Sequence, residues 1–283
     1  MDTFGGNALP ASLPQSNLIK CKSCYLYFRW PRVPDEKLSK LYKDVNPEHW
    51  QYELVNRKDW EIAIRWINNE IGVGAILDIG CWDGKFLECL SENNIRHGIE
   101  INMLAANKAS SRGVKIIANN ISDIGHMSTQ YNVVTAFNII EHIEDPLSFL
   151  KAITQVITTN GYVIISSGNT EAITWRISGS RYWYCSIPEH ISFINPEWCH
   201  FIADKLNLKI EHIERFSYAG KTSIIHKISV FAKNFTYFIA PRILGNLRKI
   251  KHYLIKKNVG KIHNYPPAWM TSKDHFIIIF KIN

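Results

Sequence analysis

The segment Ala75 to Phe86, AILDIGCWDGKF, constrains this chain more than any other. An apolar run that suits a buried parallel strand meets an acid at Asp78 and then a turn carrying Gly80 and Gly84. Glycine allows the positive φ and the close backbone approach that a ligand-cradling turn requires. The run Lys85 to Leu90 reads as the start of a helix, whose first N–H groups would face whatever the turn holds. Three residues separate the two glycines, so the G-x-G-x-x-G spacing of a dinucleotide pyrophosphate site is not met. The ligand expected here is nucleotide-sized but not a dinucleotide. About twenty residues on, the strand-like HGIEI, 97 to 101, carries Glu100, an acid placed to accept hydrogen bonds from ribose hydroxyls.

Around this segment the hydrophobic pattern alternates between strand and helix. Strands are predicted at 75–79, 97–101, 114–118, 131–137 and 161–167, and helices at 59–71, 84–92, 103–111 and 146–158. Asp145 with Pro146, and Asn195 with Pro196, read as N-caps followed by a first-turn proline. Terminal strands at 209–218 and 275–282 complete a predominantly parallel α/β sheet. At 283 residues and 46% hydrophobic, the chain can bury one substantial core with appendages. No run reaches the eighteen or more apolar residues of a spanning helix, and MDTFGG lacks the blocks of a secretory signal. The expected location is cytoplasmic, with a peripheral position at the inner face of the membrane as the variant. Six dispersed cysteines suggest reduced thiols.

Taken in order, these motifs resemble the class I S-adenosylmethionine-dependent methyltransferases, particularly the UbiG-like group. That group carries D-x-G-x-G-x-G, a distal acid and an E-H-x-x-D-P segment, here Asp78 to Gly84, Glu100 and Glu141 to Pro146. The resemblance covers roughly residues 70 to 215 and returns at the C-terminal strand. It implies a Rossmann-like, doubly wound, seven-stranded sheet of order 3-2-1-4-5-7-6, mostly parallel, with the last strand antiparallel. It also implies S-adenosylmethionine as cofactor. Asp78 would then position the methionine amino group, Gly80, Cys81 and Gly84 would line methionine and ribose, and Glu100 would bind the ribose hydroxyls. Asn120 would face the adenine amino group, and Asn138 would lie beside the methyl donor. Trp82 departs from the pattern, standing where the family has its middle glycine. It is also the best argument for a non-catalytic binding protein on the same fold.

Methyl transfer from a sulfonium depends chiefly on in-line placement, worth about 7–11 kcal/mol, and the sequence assigns no metal site. A hydroxyl acceptor must also lose a proton, and His142 and His190 are the candidate bases, each with a structural alternative as a loop-pinning histidine. Trp175, Tyr182, Trp183 and Tyr184 could stack a ring or a sugar, or be core. The pair Cys21 and Cys24, before an aromatic and proline-containing run, looks like half of the zinc-binding N-terminus of some sugar methyltransferases. No cysteine precedes Cys21, and structural zinc needs four ligands. A metal-free remnant is the favoured reading. From this likeness and that of the aromatic loop, the favoured acceptor is a sugar, nucleotide-sugar or glycan hydroxyl, on a small or lipid-linked molecule, with a quinone-type ring at the membrane surface as the alternative.

The expected organisation is an N-terminal arm (1–57, with residues 1–20 loose), a methyltransferase core (58–218), a basic helical insertion (219–270) and a final core strand (271–283). Arg215 to Lys273 contains twelve Lys or Arg and no Asp or Glu, leaving 21 basic against 25 acidic residues elsewhere. Ile224, Ile228, Phe231, Phe235 and Phe238, then Ile243, Leu247, Ile250 and Leu254, recur at helical spacing on either side of Pro241. Three readings stay open for 219–262. The apolar stripe could face an anionic membrane, with Lys227, Lys233, Arg248, Lys249, Lys251, Lys256 and Lys257 on headgroups. The same charges could meet phosphates of nucleic acid, or the stripe could pack inward as a cap. Nucleic acid is disfavoured because Asn138 is followed by Ile139 and Ile140, not by the two prolines of base amino methyltransferases.

Overall fold

The computed structural model describes residues 3–4, 7–8, 16–44, 57–219, 222–254, 266–270 and 273–283. Among the described residues the main elements run β1 (Asn17–Lys20), β2 (Tyr27–Trp30), α1 (Asp35–Asp44), α2 (Lys58–Glu70), β3 (Ala75–Ile79), α3 (Lys85–Glu88), β4 (Ile95–Ile99), α4 (Met103–Ser111), β5 (Lys115–Ala118) and β6 (Tyr131–Phe137). Then follow α5 (Pro146–Gln155), β7 (Ile157–Gly168), α6 (Ile173–Ser178), β8 (Ser192–Phe193), α7 (Pro196–Leu206), β9 (Leu208–Phe216), α8 (Ile224–Ile239), α9 (Pro241–Leu254) and β10 (His275–Ile282).

Seven strands form one sheet in the order β5-β4-β3-β6-β7-β10-β9. Strands β3 to β7 pair in parallel, and β10 runs antiparallel to both neighbours. This is the order the resemblance implied. Side chains alternate across the sheet, as the strand period of two demands. Leu77, Val134, Ile278 and Phe280 join α5 and α7 on one face. Ile76, Val133, Ile277 and Ile279 join α2, α3 and α4 on the other. Because both faces are covered, the central strands read as continuous apolar runs.

Both expected caps form. Asp145 Oδ1 accepts from the N–H groups of Leu147 and Ser148, and Asn195 Oδ1 accepts from Trp198 at 2.7 Å. Other boundaries move. The helix expected over 84–92 is confined to Lys85–Glu88, because Ser91 to Asn94 closes a turn in which Asn94 N–H reaches Ser91 O. The strand expected at 97–101 lies at Ile95–Ile99, so Glu100 stands just beyond it. Residues 17–20 of the expected loose arm are strand β1, paired with β2 from Asn17↔Trp30 to Lys20↔Tyr27. The rest of that arm falls mainly outside the described residues.

A third cluster, largely aromatic, sits beyond the sheet: Trp175, Tyr182, Tyr184, Phe193, Val230 and Trp269 with Ala172 and Cys185. It joins α8 to the segment after β7. Strand β2 reaches the same place through its pairing with β8, Phe28 opposite Ser192.

Candidate active site

Asp78, one residue before the end of β3, is buried, and its Oδ1 accepts a hydrogen bond from Thr135 Oγ1 on β6 at 2.7 Å. Burial raises its pKa to about 7, against the lowering effect of Thr135 and Arg57. Gly80 follows with φ +70, and a Cβ there would overlap Ile139 Cδ1. Gly84 has φ +79, and a Cβ there would stand 2.9 Å from the Ala109 backbone. Both glycines are therefore required by conformation and by space. Between them Trp82 takes φ 51, the left-handed conformation in which glycine would be at ease. The turn keeps its shape despite the large residue, at a cost of about 1–2 kcal/mol.

Glu100 lies across the turn from Asp78. Its Oε2 accepts from Trp82 N at 2.9 Å and its Oε1 from Asn102 N at 2.8 Å. Burial nevertheless raises its pKa. A carboxylate has about four acceptor sites, and the backbone of Ile101 engages Glu100 as well, so about one is left for a ribose hydroxyl. Cys81 is buried, with its sulfur against Gly98 of β4, and burial pushes its thiol pKa up. Its contribution to the turn's outer surface is therefore backbone. Asn120 is exposed, and its Oδ1 caps the short helix Ile121–His126 through Ser122 N at 3.1 Å. The positive-φ turn at Gly80 and Gly84, with the two buried acids Asp78 and Glu100 on either side, fits the adenosyl and methionine parts of the expected cofactor.

Asn138, at the end of β6, takes φ 54 and belongs to a network that sequence did not reveal. Its Nδ2 lies 3.1 Å from Tyr218 Oη, and that hydroxyl donates to Asp59 Oδ2 at 2.8 Å. Asp59, fully buried at the start of α2, also accepts from Ser166 Oγ and from the Arg57 guanidinium through two bonds of 3.0 and 2.9 Å. One carboxylate thus ties the ends of β6 and β7, and Tyr218 just past β9, to α2. A lone Asp in a helical first turn gives no signal of this.

His142 and His190, separated by 47 residues, come together with ring centroids 5.0 Å apart. His142 Nδ1 is 2.7 Å from Tyr42 Oη and 3.1 Å from Glu189 O. His190 is buried, with Nδ1 3.2 Å from Tyr184 O. Burial, then the neighbouring His142 and Arg29, hold its pKa well below the usual histidine range. The ring is neutral at pH 7, donates through Nδ1, and leaves Nε2 as an acceptor.

Glu141 completes a group of three ligating side chains whose candidate atoms lie within 4.8 Å of one another, a set that sequence did not assign. Its oxygens already accept from Tyr184 Oη at 2.5 Å and Ser167 Oγ at 2.9 Å. Here the acid serves as a lock between the EHIEDP segment and the loop 182–190.

That loop is held from the N-terminal hairpin. The buried Arg29 of β2 donates from Nε to His190 O at 2.5 Å, and from Nη2 to Ile187 O at 2.8 Å and to Cys185 O. Trp175, Tyr182 and Tyr184 are buried within the aromatic cluster, so in this conformation they pack on one another; Trp183 alone of the four keeps exposed surface. Cys21 and Cys24 close the β1–β2 turn, where Tyr25 takes φ 64. Among the described residues they join no group of three or more potential metal ligands.

The profile of the family described as a methyltransferase domain matches residues 48–213. The chain belongs to this family. It is a class I methyltransferase that uses S-adenosylmethionine, as the sequence resemblance implied. A relative named ubiquinone biosynthesis O-methyltransferase, from Aeromonas salmonicida, is 28% identical over 205 residues, 65% of this chain and 83% of that protein. A protein of the same name from Shewanella sp. is 24% identical over 206 residues, 67% of this chain and 86% of that protein. Among solved structures, a SAM-dependent methyltransferase from Thermotoga maritima matches with TM-score 0.53 at 14% identity, over 87% of this chain and 99% of that one. The N-methyltransferase NodS from Bradyrhizobium japonicum, in complex with S-adenosylhomocysteine, matches with TM-score 0.50 at 12% identity, over 87% and 97%. At such identities the structural likeness is one of fold.

Proposed function

We propose that this methyltransferase transfers methyl to a hydroxyl of a small acceptor, and that the acceptor is a quinone-type ring. The match to relatives named for ubiquinone biosynthesis, across more than four fifths of their length, carries this reading. The sugar hydroxyl favoured by the sequence has no such support: its argument rested on the incomplete Cys21 and Cys24 remnant and on the aromatic loop, whose Trp175, Tyr182 and Tyr184 are buried against one another.

When bound, S-adenosylmethionine supplies a methyl group already activated on sulfur, so placement supplies most of the catalysis. Glu100 accepts from the ribose hydroxyls with its remaining acceptor capacity, and Asp78 faces the methionine ammonium. The turn at Gly80 and Gly84 keeps the backbone close. Asn120 has one amide lone pair left for the adenine amino group, and Asn138 is fixed by Tyr218 at the sheet end beside the donor. An acceptor hydroxyl must lose its proton as it attacks, and the Nε2 atoms of His190 and His142 are the proton acceptors. Since burial keeps His190 neutral, its lone pair is present throughout the physiological range.

Formation of S-adenosylhomocysteine with a catechol-type ring bearing a prenyl tail, compared with a panel of nucleotide sugars, tests the acceptor. Turnover with the sugars alone would overturn the reading. His190→Ala should lose about 100-fold or more in turnover while keeping cofactor affinity; unchanged turnover removes His190 from the mechanism.

A further inference from the structure

The helix α8 is attached to the body by a narrow face. Val230 joins the aromatic cluster, and Asn234 is buried with its Nδ2 bonded back to Val230 O at 3.0 Å. Of the stripe named in the sequence, Phe238 is half-buried with the Arg181 guanidinium 5.8 Å from its ring centre, whereas Ile224, Ile228, Phe231 and Phe235 face out with 53 to 75% exposure, joined by Ile239. Their spacing of four, three, four and four puts them along one side of the helix. Ile243 and Leu247 of α9 are exposed as well, as are Ile173 and Ile177 of α6, which shares the aromatic cluster with Val230. Scattered apolar residues need no explanation, whereas a contiguous row of this size marks an interaction surface.

We propose that this face of α8, widened by α6 and α9, docks on an anionic lipid bilayer. Charge selects that occupant. Lys227 and Lys233 of α8, off the apolar row, and Arg242 of α9 and Arg176 of α6 are exposed, and no acidic residue occurs between Arg215 and Lys273. Amphipathic helices with lysine on the polar side and Phe or Ile on the other lie in the plane of an anionic interface. A second copy of the chain would bring two sets of like charge together, and nucleic acid would leave the Ile and Phe row in water. With 16 residues α8 is about 24 Å long, short of the roughly 30 Å hydrocarbon core, so it lies on the surface. None of the helices among the described residues is long and apolar enough to cross a membrane. Lys249, Lys251, Lys256 and Lys257 have side chains outside the described residues and enter only as sequence charge.

The docking surface does not depend on the quinone-type acceptor, although it would set the loop 182–190 close to any acceptor dissolved in lipid. Flotation of the full chain tests it, using vesicles of phosphatidylglycerol mixed into phosphatidylcholine and vesicles of phosphatidylcholine alone. The chain should float with the anionic vesicles and be released by high salt. Ile228→Asp with Phe235→Asp should weaken partitioning by about tenfold or more, with an unchanged melting temperature. Lys227→Glu with Lys233→Glu gives the electrostatic counterpart and keeps the test decisive if the first pair fails to fold. A folded chain that stays at the bottom of the gradient would overturn the proposal, as would equal flotation with neutral vesicles. Self-association through this face, or displacement from vesicles by duplex DNA, would assign it to another occupant. Methylation of a water-soluble catechol at the wild-type rate by either pair would show that the acceptor reading stands or falls separately.

Discussion

Arg29→Met removes the guanidinium that joins the N-terminal hairpin to the loop 182–190. The lost partners are three carbonyls, those of Cys185, Ile187 and His190, all reached from one side chain across at least 156 residues of sequence. A hydrogen bond to a charged group is worth about 1.5–3 kcal/mol, so the three sum to several kcal/mol. Against this stands relief from burying the cation, a burden visible in the pKa of Arg29, which burial lowers. The net loss expected is about 3 kcal/mol, a drop in melting temperature of about 6 °C or more for a chain of this size. Scanning calorimetry of wild type and variant measures it directly. Titration with S-adenosylmethionine should give affinities within about twofold, because the guanidinium bonds to the loop carbonyls and not to the donor turn. Acceptor turnover should fall, since the backbone of His190 is no longer held. Arg29→Lys should behave like Met, because an ammonium cannot reproduce a planar fork aimed at three acceptors. A melting temperature lowered by less than about 2 °C, or a lysine variant equal to wild type, would refute the claim that this side chain organises the loop.

Burial that raises Asp78 to about 7 favours its protonated form in the folded protein. Without cofactor its contribution to stability is full below about pH 4, declines as pH rises and is gone above about 7. If the ionised carboxyl faces the methionine ammonium, cofactor affinity should weaken about tenfold from pH 8 to pH 6, measured by calorimetry. Asp78→Asn should flatten that profile, and a wild-type profile already flat would remove Asp78 from the contact. Gly84→Ala and Gly113→Ala share a φ of +79, but only the first meets backbone, Ala109, while the second points into open space. Each should lose about 1–2 kcal/mol to the left-handed conformation; Gly84→Ala should lose more in chemical denaturation and also lose cofactor affinity. Equal losses would mean that α4 yields to the added methyl without cost.

What could be read in advance was local. The 75–86 turn and the Asp145–Pro146 and Asn195–Pro196 caps each lie within a few residues of the group they serve, and Glu100 follows the turn by about one strand–turn unit. The strand order came with the family resemblance that these motifs carry. The long-range contacts were opaque for the opposite reason: Asp59 meets Tyr218 across 159 residues, and Tyr42 meets His142 across 100. His142 stood in a short motif, but no pattern marked Asp59, Tyr218 or Tyr42. The row of apolar residues on α8 was legible as helical periodicity, but periodicity does not say which face turns to the body. A single valine and a buried asparagine at 230 and 234 decided that.

The Asp59 network also bears on how the enzyme reaches its working form. The donor turn needs little beyond residues 75 to 138, a contiguous stretch of strands and helices with short connections. The network at the sheet end must gather Arg57, Asn138, Ser166 and Tyr218, and loops of that length close late and slowly. Nascent chains should therefore form the turn at Gly80 and Gly84 before the Asp59 network can close. The contact between Asp59 and Tyr218 waits for 159 further residues of chain.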